Sequence, residues 1–167
     1  MTELSGLEDA IPALRRYSMA LLRDRSEADD LVQDTLVRAI DRIGGRTDTG
    51  DTRAWLFAIM HNLHVSRWRR LKRRAAVMVA GSEADAATPA GQIPALEMAD
   101  TARAMELLTE EQRQVILLVA VEGFGYSEAA LILGIPVGTV MSRLSRGRDR
   151  LNHYMEGRQR PALRRVK

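Results

Sequence analysis

Cysteine is absent from the 167-residue sequence, and aromatic residues make up only 4% of it. The absence of cysteine excludes disulfides, thiolate metal sites and cysteine nucleophiles. Hydrophobic residues reach 46%, so any core consists mainly of Leu, Ile, Val, Ala and Met. Because aromatic and β-branched residues are the usual strand formers, this composition favours helices over a β-sandwich. We therefore expect an all-α protein.

Long apolar runs are also missing. No segment reaches the ~20 apolar residues that a membrane span requires. Residues 1–17 lack the basic-then-apolar order of a secretory signal. We expect no membrane insertion and a cytoplasmic location.

Patterns typical of enzymes and metal sites do not occur in the sequence. His61 and His64 share a helix face, but no cysteine or carboxylate pair accompanies them there, so we do not expect metal ligands. Asp29 and Asp30 are adjacent and point in different directions on a helix, which argues against a catalytic pair. No P-loop pattern is present. We expect no enzymatic activity and no cofactor.

Charge is segregated along the chain, although the net charge is only +3. Residues 24–34 carry five carboxylates, and residues 67–74 carry six basic side chains. Further basic residues cluster at 143–150 and in the tail. One acidic segment and three basic ones indicate both a protein partner and a polyanion.

Helical periodicity occurs in two parts of the chain, with a stretch of different composition between them. Residues 76–95 are rich in Ala, Gly, Ser, Thr and Pro and have no sustained apolar period, which is typical of a flexible linker. The sequence predicts two small helical domains, residues 1–75 and 96–157, joined by this linker. Residues 158–167 form a basic tail.

Capping signals predict where the helices begin and end. The expected starts are Ser5 with Glu8, Ser26, Asp51 or Thr52, and Thr109 with Gln112, and the expected stops are Gly44, Gly45 and Gly123. Apolar residues at helical spacing indicate the buried faces. In the first domain these residues are Val32, Leu36, Ala39, Ile40, Ile43, Leu56, Ile59, Met60 and Leu63.

The second domain contains a helix-turn-helix pattern at residues 126–151. Ser127 is expected to cap its first helix. Gly134 can adopt the left-handed conformation of a tight turn, and Pro136 fits the start of the second helix. The expected buried positions are Ala129, Ala130, Leu133, Val137, Val140, Met141, Leu144 and Leu151. In such a motif the second helix enters the major groove of DNA.

The outward face of that second helix carries hydroxyl and guanidinium groups. Arginine binds guanine bidentately, while Ser, Thr and further Arg bind phosphates. The expected DNA contacts are Thr139, Ser142, Arg143, Arg146 and Arg150. The alternative is an ordinary amphipathic helix with a solvated cationic face.

Three stretches together resemble the group IV, or extracytoplasmic function (ECF), members of the sigma-70 family. They are SEADDLVQDTLVRAI, RAWLFAIMHNLHVSRWRR and LTEEQRQVILLVAVEGFGYSEAALILGIPVGTVMSRLSRGRDRL, in the order of that family. The resemblance implies a non-catalytic subunit that directs core RNA polymerase to promoters. It also implies a region 2-like domain for core polymerase and the −10 element, a region 4-like domain for the −35 element, and an anti-sigma protein as regulator.

The same resemblance assigns individual residues. It implies polymerase contacts at Asp30, Gln33 and Asp34, and −10 contacts at Asn62, Arg67, Arg69 and Arg70. The loop from Gly45 to Asp51 resembles the segment that receives a flipped −10 base. Without the family context, a solvated acidic helix face is the better interpretation of these carboxylates. Trp55 is expected in the core, whereas for Trp68 both helix packing and nucleic-acid contact stay open.

Two other functions fit parts of the pattern. A dimeric helix-turn-helix regulator would present two recognition helices about one DNA turn apart, but no coiled coil or effector pocket is evident in the sequence. A helical adaptor would use its basic faces only for solubility. Promoter binding that depends on core polymerase distinguishes the sigma-type function from both.

Overall fold

The computed structural model describes residues 2–45, 50–78 and 103–159. Three predicted segments lie largely outside these ranges: the linker, of which only the first three residues are described, the loop before Asp51, and the basic tail. The chain forms two compact units, with three helices in the first and most residues of the later helices in the second. The described residues contain no strand, so the all-α prediction is confirmed.

The first unit consists of α1 (Thr2–Leu22), α2 (Arg25–Ile43) and α3 (Thr52–Met78), and each of them packs against the other two. Its core comes from the inner faces of all three helices, including Leu14, Leu31 and Met60. The Tyr17 and Phe57 rings meet edge to face, with 5.2 Å between their centroids. Aliphatic residues thus fill most of this core, as the composition indicates.

Two predicted caps in the first unit are wrong. Helix α1 begins at Thr2, so Ser5 lies inside the helix. Helix α2 is capped by Asp24 instead of Ser26, because Asp24 has extended backbone angles and its carboxylate accepts a hydrogen bond from the Glu27 N–H at 2.8 Å. The expected stop at Gly44 is confirmed.

One predicted core position of α2 is also wrong. Ile40 is 55% exposed, because Leu31, Thr35 and Ala39 occupy the inner face of the helix. The Thr35 hydroxyl is accommodated there by donating to the Leu31 carbonyl at 2.7 Å. A polar side chain that bonds its own helix can therefore occupy a core position.

In the second unit, the described residues start at position 103 in a helical segment that extends to residue 106, and α4 (Glu110–Ile116) follows. Both hydrogen bonds of the predicted Thr109–Gln112 capping box are present. A π-helical turn, Leu117–Val121, follows α4, and the chain then leaves through Gly123 at φ +75°. The predicted start and stop of this helix are thereby confirmed.

The helix-turn-helix consists of α5 (Tyr126–Leu133) and α6 (Val137–Gln159). Gly134 adopts φ +64° between them, as the turn requires. Ser127 is not the cap, because α5 has already begun at Tyr126. Instead, the Glu128 carboxylate accepts a hydrogen bond from the Gly125 N–H at 2.8 Å.

The buried face of the motif is narrower than the sequence predicts. Ala129, Ala130, Leu133, Val140 and Leu144 are buried, as expected. Val137 and Met141, however, are 39% and 53% exposed. Gly147 faces α4 so closely that a β-carbon there would lie 2.6 Å from Ile116 Cδ1. A side chain at position 147 would therefore have to displace the end of the Ile116 side chain.

No single helix in the described ranges has the length and apolar character to cross a membrane. The two helical segments Tyr126–Leu133 and Val137–Glu156 have the required length and apolar character only when they are taken together, and the chain bends by 103° between them.

Candidate nucleic-acid and protein interfaces

The acidic face of α2 is open to solvent. Asp30, Gln33 and Asp34 are all exposed, and they lie on one side of the helix at three- and four-residue spacing. Val37 and Ile40, which are 59% and 55% exposed, continue the same side by one and two turns. The sequence analysis missed this apolar continuation. The signal was present, because α2 has more apolar positions than one buried face can hold.

The basic segment of α3 extends beyond the α2 contact. Asn62, Arg69 and Arg70 are exposed, whereas Arg67 is only 24% exposed at its side chain. One Arg67 guanidinium nitrogen lies 2.6 Å from the Asp34 carboxylate, and another lies 4.0 Å from that of Glu27. The structure thus joins one predicted polymerase-contact residue to one predicted −10 residue.

The predicted DNA face of α6 divides into two groups. Ser142 and Arg146 are exposed, and Thr139 is half-buried. Arg143 forms a 3.2 Å ion pair with Glu111 of α4. Arg150 donates to the Gln112 side chain at 3.1 Å and to the Leu107 carbonyl at 3.4 Å. Two of the five residues therefore also hold α6 against α4 and the turn before it.

A buried arginine binds the helical segment at residues 103–106 to α4. Arg113 is 8% exposed, and its guanidinium donates to the Met105 carbonyl at 3.0 and 3.1 Å and to the Leu108 carbonyl at 3.3 Å. These carbonyls lie in and just after the helical turn at residues 103–106, where backbone acceptors need partners. This role could not be predicted from the sequence, because the spacing of Arg113 does not distinguish it from a surface arginine of an amphipathic helix.

Metal-ligand geometry is not found in the described ranges. No group of three His, Cys, Asp or Glu side chains there has the arrangement of a metal site. His64 is 7% exposed and belongs to the packed face of α3. Within the ranges that the structure describes, the charged surfaces considered above are one acidic helix face and two cationic ones.

Comparisons with known proteins agree with this arrangement. Residues 7–61 match the family model described as the Sigma2 domain of PhyR, and residues 99–151 match that of sigma-70 region 4. The ECF RNA polymerase sigma factor EcfG of Rhodopseudomonas palustris is 38% identical over 151 residues, which are 89% of this chain and 83% of EcfG. SigW of Bacillus subtilis is 32% identical over 147 residues, 81% of this chain and 79% of SigW.

Solved structures give the same result. The chain resembles the sigma factor RpoE of Bartonella quintana, crystallised with the anti-sigma factor NepR, at 33% identity and a TM-score of 0.75, over 90% of this chain and 94% of RpoE. The two matched segments, the extended similarity to EcfG and the structural similarity to RpoE lead to one family. The chain belongs to the ECF RNA polymerase sigma factors, the subunits that direct core RNA polymerase to promoters and start transcription there.

Proposed function

We propose that this sigma factor binds core polymerase with the acidic face of α2 and recognises promoters with α3 and α6. In this assignment Asp30, Gln33 and Asp34 contact the polymerase. Asn62, Arg67, Arg69 and Arg70 contact the −10 element, and Thr139, Ser142, Arg143, Arg146 and Arg150 contact the −35 element. The protein acts in the cytoplasm with the polymerase and catalyses no step itself.

The geometry of α6 carries this proposal. Gly134 turns the chain into α6, whose exposed side presents Ser142 and Arg146 together. An exposed helix after such a turn fits the major groove, and arginine is the side chain best suited to guanine. Arg143 and Arg150 keep α6 in place through α4, so the exposed pair is held on a fixed scaffold.

The proposal for the polymerase side rests on α2. An exposed row of carboxylates beside two exposed aliphatic residues suits a partner with basic groups around an apolar patch. Burying Val37 and Ile40 favours association, and the carboxylates supply orientation.

We also propose that an anti-sigma protein restrains this chain. RpoE of B. quintana was crystallised with NepR, and CnrH, which is 29% identical to this chain, was solved with the cytosolic domain of CnrY. An inhibitor that covers the α2 face or the DNA-binding helices would block the activity by occupying the same side chains.

Reconstituted transcription tests the DNA-binding part of the proposal. Promoters are first selected from genomic DNA by the purified chain together with core polymerase, and run-off transcripts are then measured. Arg146→Ala should lower transcript yield about 5- to 150-fold, the range expected for one lost base contact. Arg148→Ala is the matched control, because Arg148 is also exposed but lies on the opposite side of α6.

Two results would contradict the proposal. One is a wild-type chain that does not co-purify with core polymerase or gives no run-off transcript. The other is equal loss of activity in Arg146→Ala and Arg148→Ala, which would leave only a general cationic attraction. A free chain that protects a palindromic site by itself would support a dimeric regulator instead.

A further inference from the structure

An acidic side chain of α4 lies against one arginine of α6. A carboxylate oxygen of Glu111 is 3.2 Å from a terminal guanidinium nitrogen of Arg143. The Glu111 side chain is 65% exposed, whereas that of Arg143 is 24% exposed. The ion pair is therefore at the surface, and part of the Arg143 side chain stays open to a ligand.

Arg143 lies at the border between the buried and the exposed side of α6. Ser142 precedes it and Arg146 follows one turn later, and both are exposed. Val140 and Leu144, which are buried, lie on its other side at 100° per residue. Arg143 is thus the residue at which the scaffold formed by α4 meets the proposed −35 face.

A guanidinium group can serve two partners at once. It has five N–H groups in a planar fork, and the contact with Glu111 involves one of its three nitrogens. The other N–H groups can donate to a base edge, where arginine binds guanine bidentately. A carboxylate that holds the long side chain in one orientation lowers the side-chain entropy that base binding must still remove.

The charge of Glu111 has a second effect on Arg143. A carboxylate beside this arginine weakens its attraction to phosphate oxygens, which are present on DNA of any sequence. The bidentate contact with guanine depends on the geometry of the fork as well as on charge. The same carboxylate therefore favours the base contact over the phosphate contact.

We propose that Glu111 is a positioning residue that raises promoter specificity by acting through Arg143. It orients the guanidinium toward one base of the −35 element and makes it a poorer ligand for phosphates. This inference rests on the proposed function, in which Arg143 contacts the −35 element. Exposed ion pairs contribute little to folding, so the role of Glu111 lies in recognition and not in stability.

Binding of holoenzyme to promoter fragments tests this role. The fragments carry the selected −35 element or one base substitution at each of its positions, and Arg143→Ala identifies the position at which discrimination is lost. Glu111→Gln should reduce discrimination at the same position by about 2- to 12-fold, the cost of ordering one flexible side chain. Its binding to a fragment with an unrelated −35 sequence should become stronger, because Arg143 can then bind phosphate.

Glu110→Gln is the matched control. Glu110 and Glu111 both lie in the first turn of α4, so the two substitutions remove the same charge from the same helix end. The Glu110 carboxylate, however, accepts a hydrogen bond from the Gln114 amide of its own helix at 3.2 Å. Glu110→Gln should leave the discrimination unchanged. In a chain that already carries Arg143→Ala, Glu111→Gln should have no further effect on it.

The outcomes separate this inference from the function on which it rests. If the wild-type holoenzyme gives no transcript, or Arg143→Ala changes discrimination at no position, the proposed function is wrong. If Arg143→Ala has its effect but Glu111→Gln does not, or Glu110→Gln acts like Glu111→Gln, the positioning role is wrong. Equal weakening by Glu111→Gln on matched and unrelated fragments would also contradict it and indicate a structural contact. Urea denaturation of the full chain checks that each variant keeps its stability.

Discussion

At the scale of single residues, two glycines of the helix-turn-helix differ in what they contribute. Neither Gly134 nor Gly138 has an atom within 4 Å of the position of an added β-carbon, but only Gly134 has a positive φ, +64°. Gly134→Ala should lower the free energy of unfolding by about 1–2 kcal/mol, the cost of a left-handed L-residue. Urea denaturation of the full chain measures this cost.

Gly138→Ala is the matched control for that prediction. The same methyl group is added within α6, where alanine is the better helix former. Stability should stay the same or rise by up to about 1 kcal/mol. Equal destabilisation by both substitutions would show that crowding, rather than backbone conformation, determines the cost.

The ion pair between Arg67 and Asp34 gives a second prediction at this scale. It joins α3 to α2, but both side chains reach solvent, so its contribution should be small. A double-mutant cycle with Arg67→Ala and Asp34→Ala should give a coupling of about 0.2–1 kcal/mol that decreases in high salt. The cycle of Arg67→Ala with Asp30→Ala should give no coupling within error. Coupling of similar size in both cycles would mean that Arg67 is attracted by the overall negative charge of α2 and that its contact with Asp34 has no specific contribution.

At the scale of helices, the capping interactions decide where each element begins. Thr109→Ala removes a side-chain acceptor from the first turn of α4 and should cost about 0.5–2 kcal/mol in unfolding free energy. Ser127→Ala should change stability by less than about 0.5 kcal/mol, because Ser127 is an exposed residue inside α5. Thermal or urea denaturation compares the two variants. A larger loss for Ser127→Ala would contradict the observed start of α5.

The same elements show what the sequence predicts reliably. The Thr109–Gln112 box was found because its two bonds are local and depend on residue type alone. Asp24 and Ser26 are both good caps, and only the backbone angles at Asp24 decide between them. Ile40 and Met141 have the spacing of buried residues, but neighbouring helices do not reach them. Periodicity predicts the helix face on which a side chain lies, but it does not predict whether a neighbouring helix extends far enough to cover that side chain.

The candidate site follows the same division. The helix that carries the predicted −35 contacts, its turn and its exposed side were predictable from Gly134 and the apolar spacing. The ion pair of Arg143 with Glu111 and the hydrogen bonds of Arg150 were not, because their partners lie 32 and 38 or more residues away in the sequence. The close approach of Gly147 to Ile116 is likewise a contact between distant segments. Local chemistry was visible in the sequence, and long-range contacts were not.

At the scale of the whole molecule, two compact units carry separate cationic helices. Each unit matches a different family model, and the similarity to EcfG extends across both. A protein built in this way can combine two moderate DNA contacts in one polymerase complex, where the second contact forms at high effective concentration. Promoter strength should then depend on both elements, and each element should depend on the residues of one unit.

This division of labour predicts which substitution responds to which promoter element. On a selected promoter, Arg146→Ala and Asn62→Ala should each reduce run-off transcription, because each removes a proposed DNA contact from a different unit. When the −35 element is replaced by unrelated sequence, the wild-type chain and Arg146→Ala should become equally weak, since the lost contact no longer has a base to read. Asn62→Ala should still be weaker than the wild-type chain on that template. If instead the defect of Arg146→Ala persists unchanged, Arg146 binds phosphate without reading sequence, and the salt slope of binding should fall by about one.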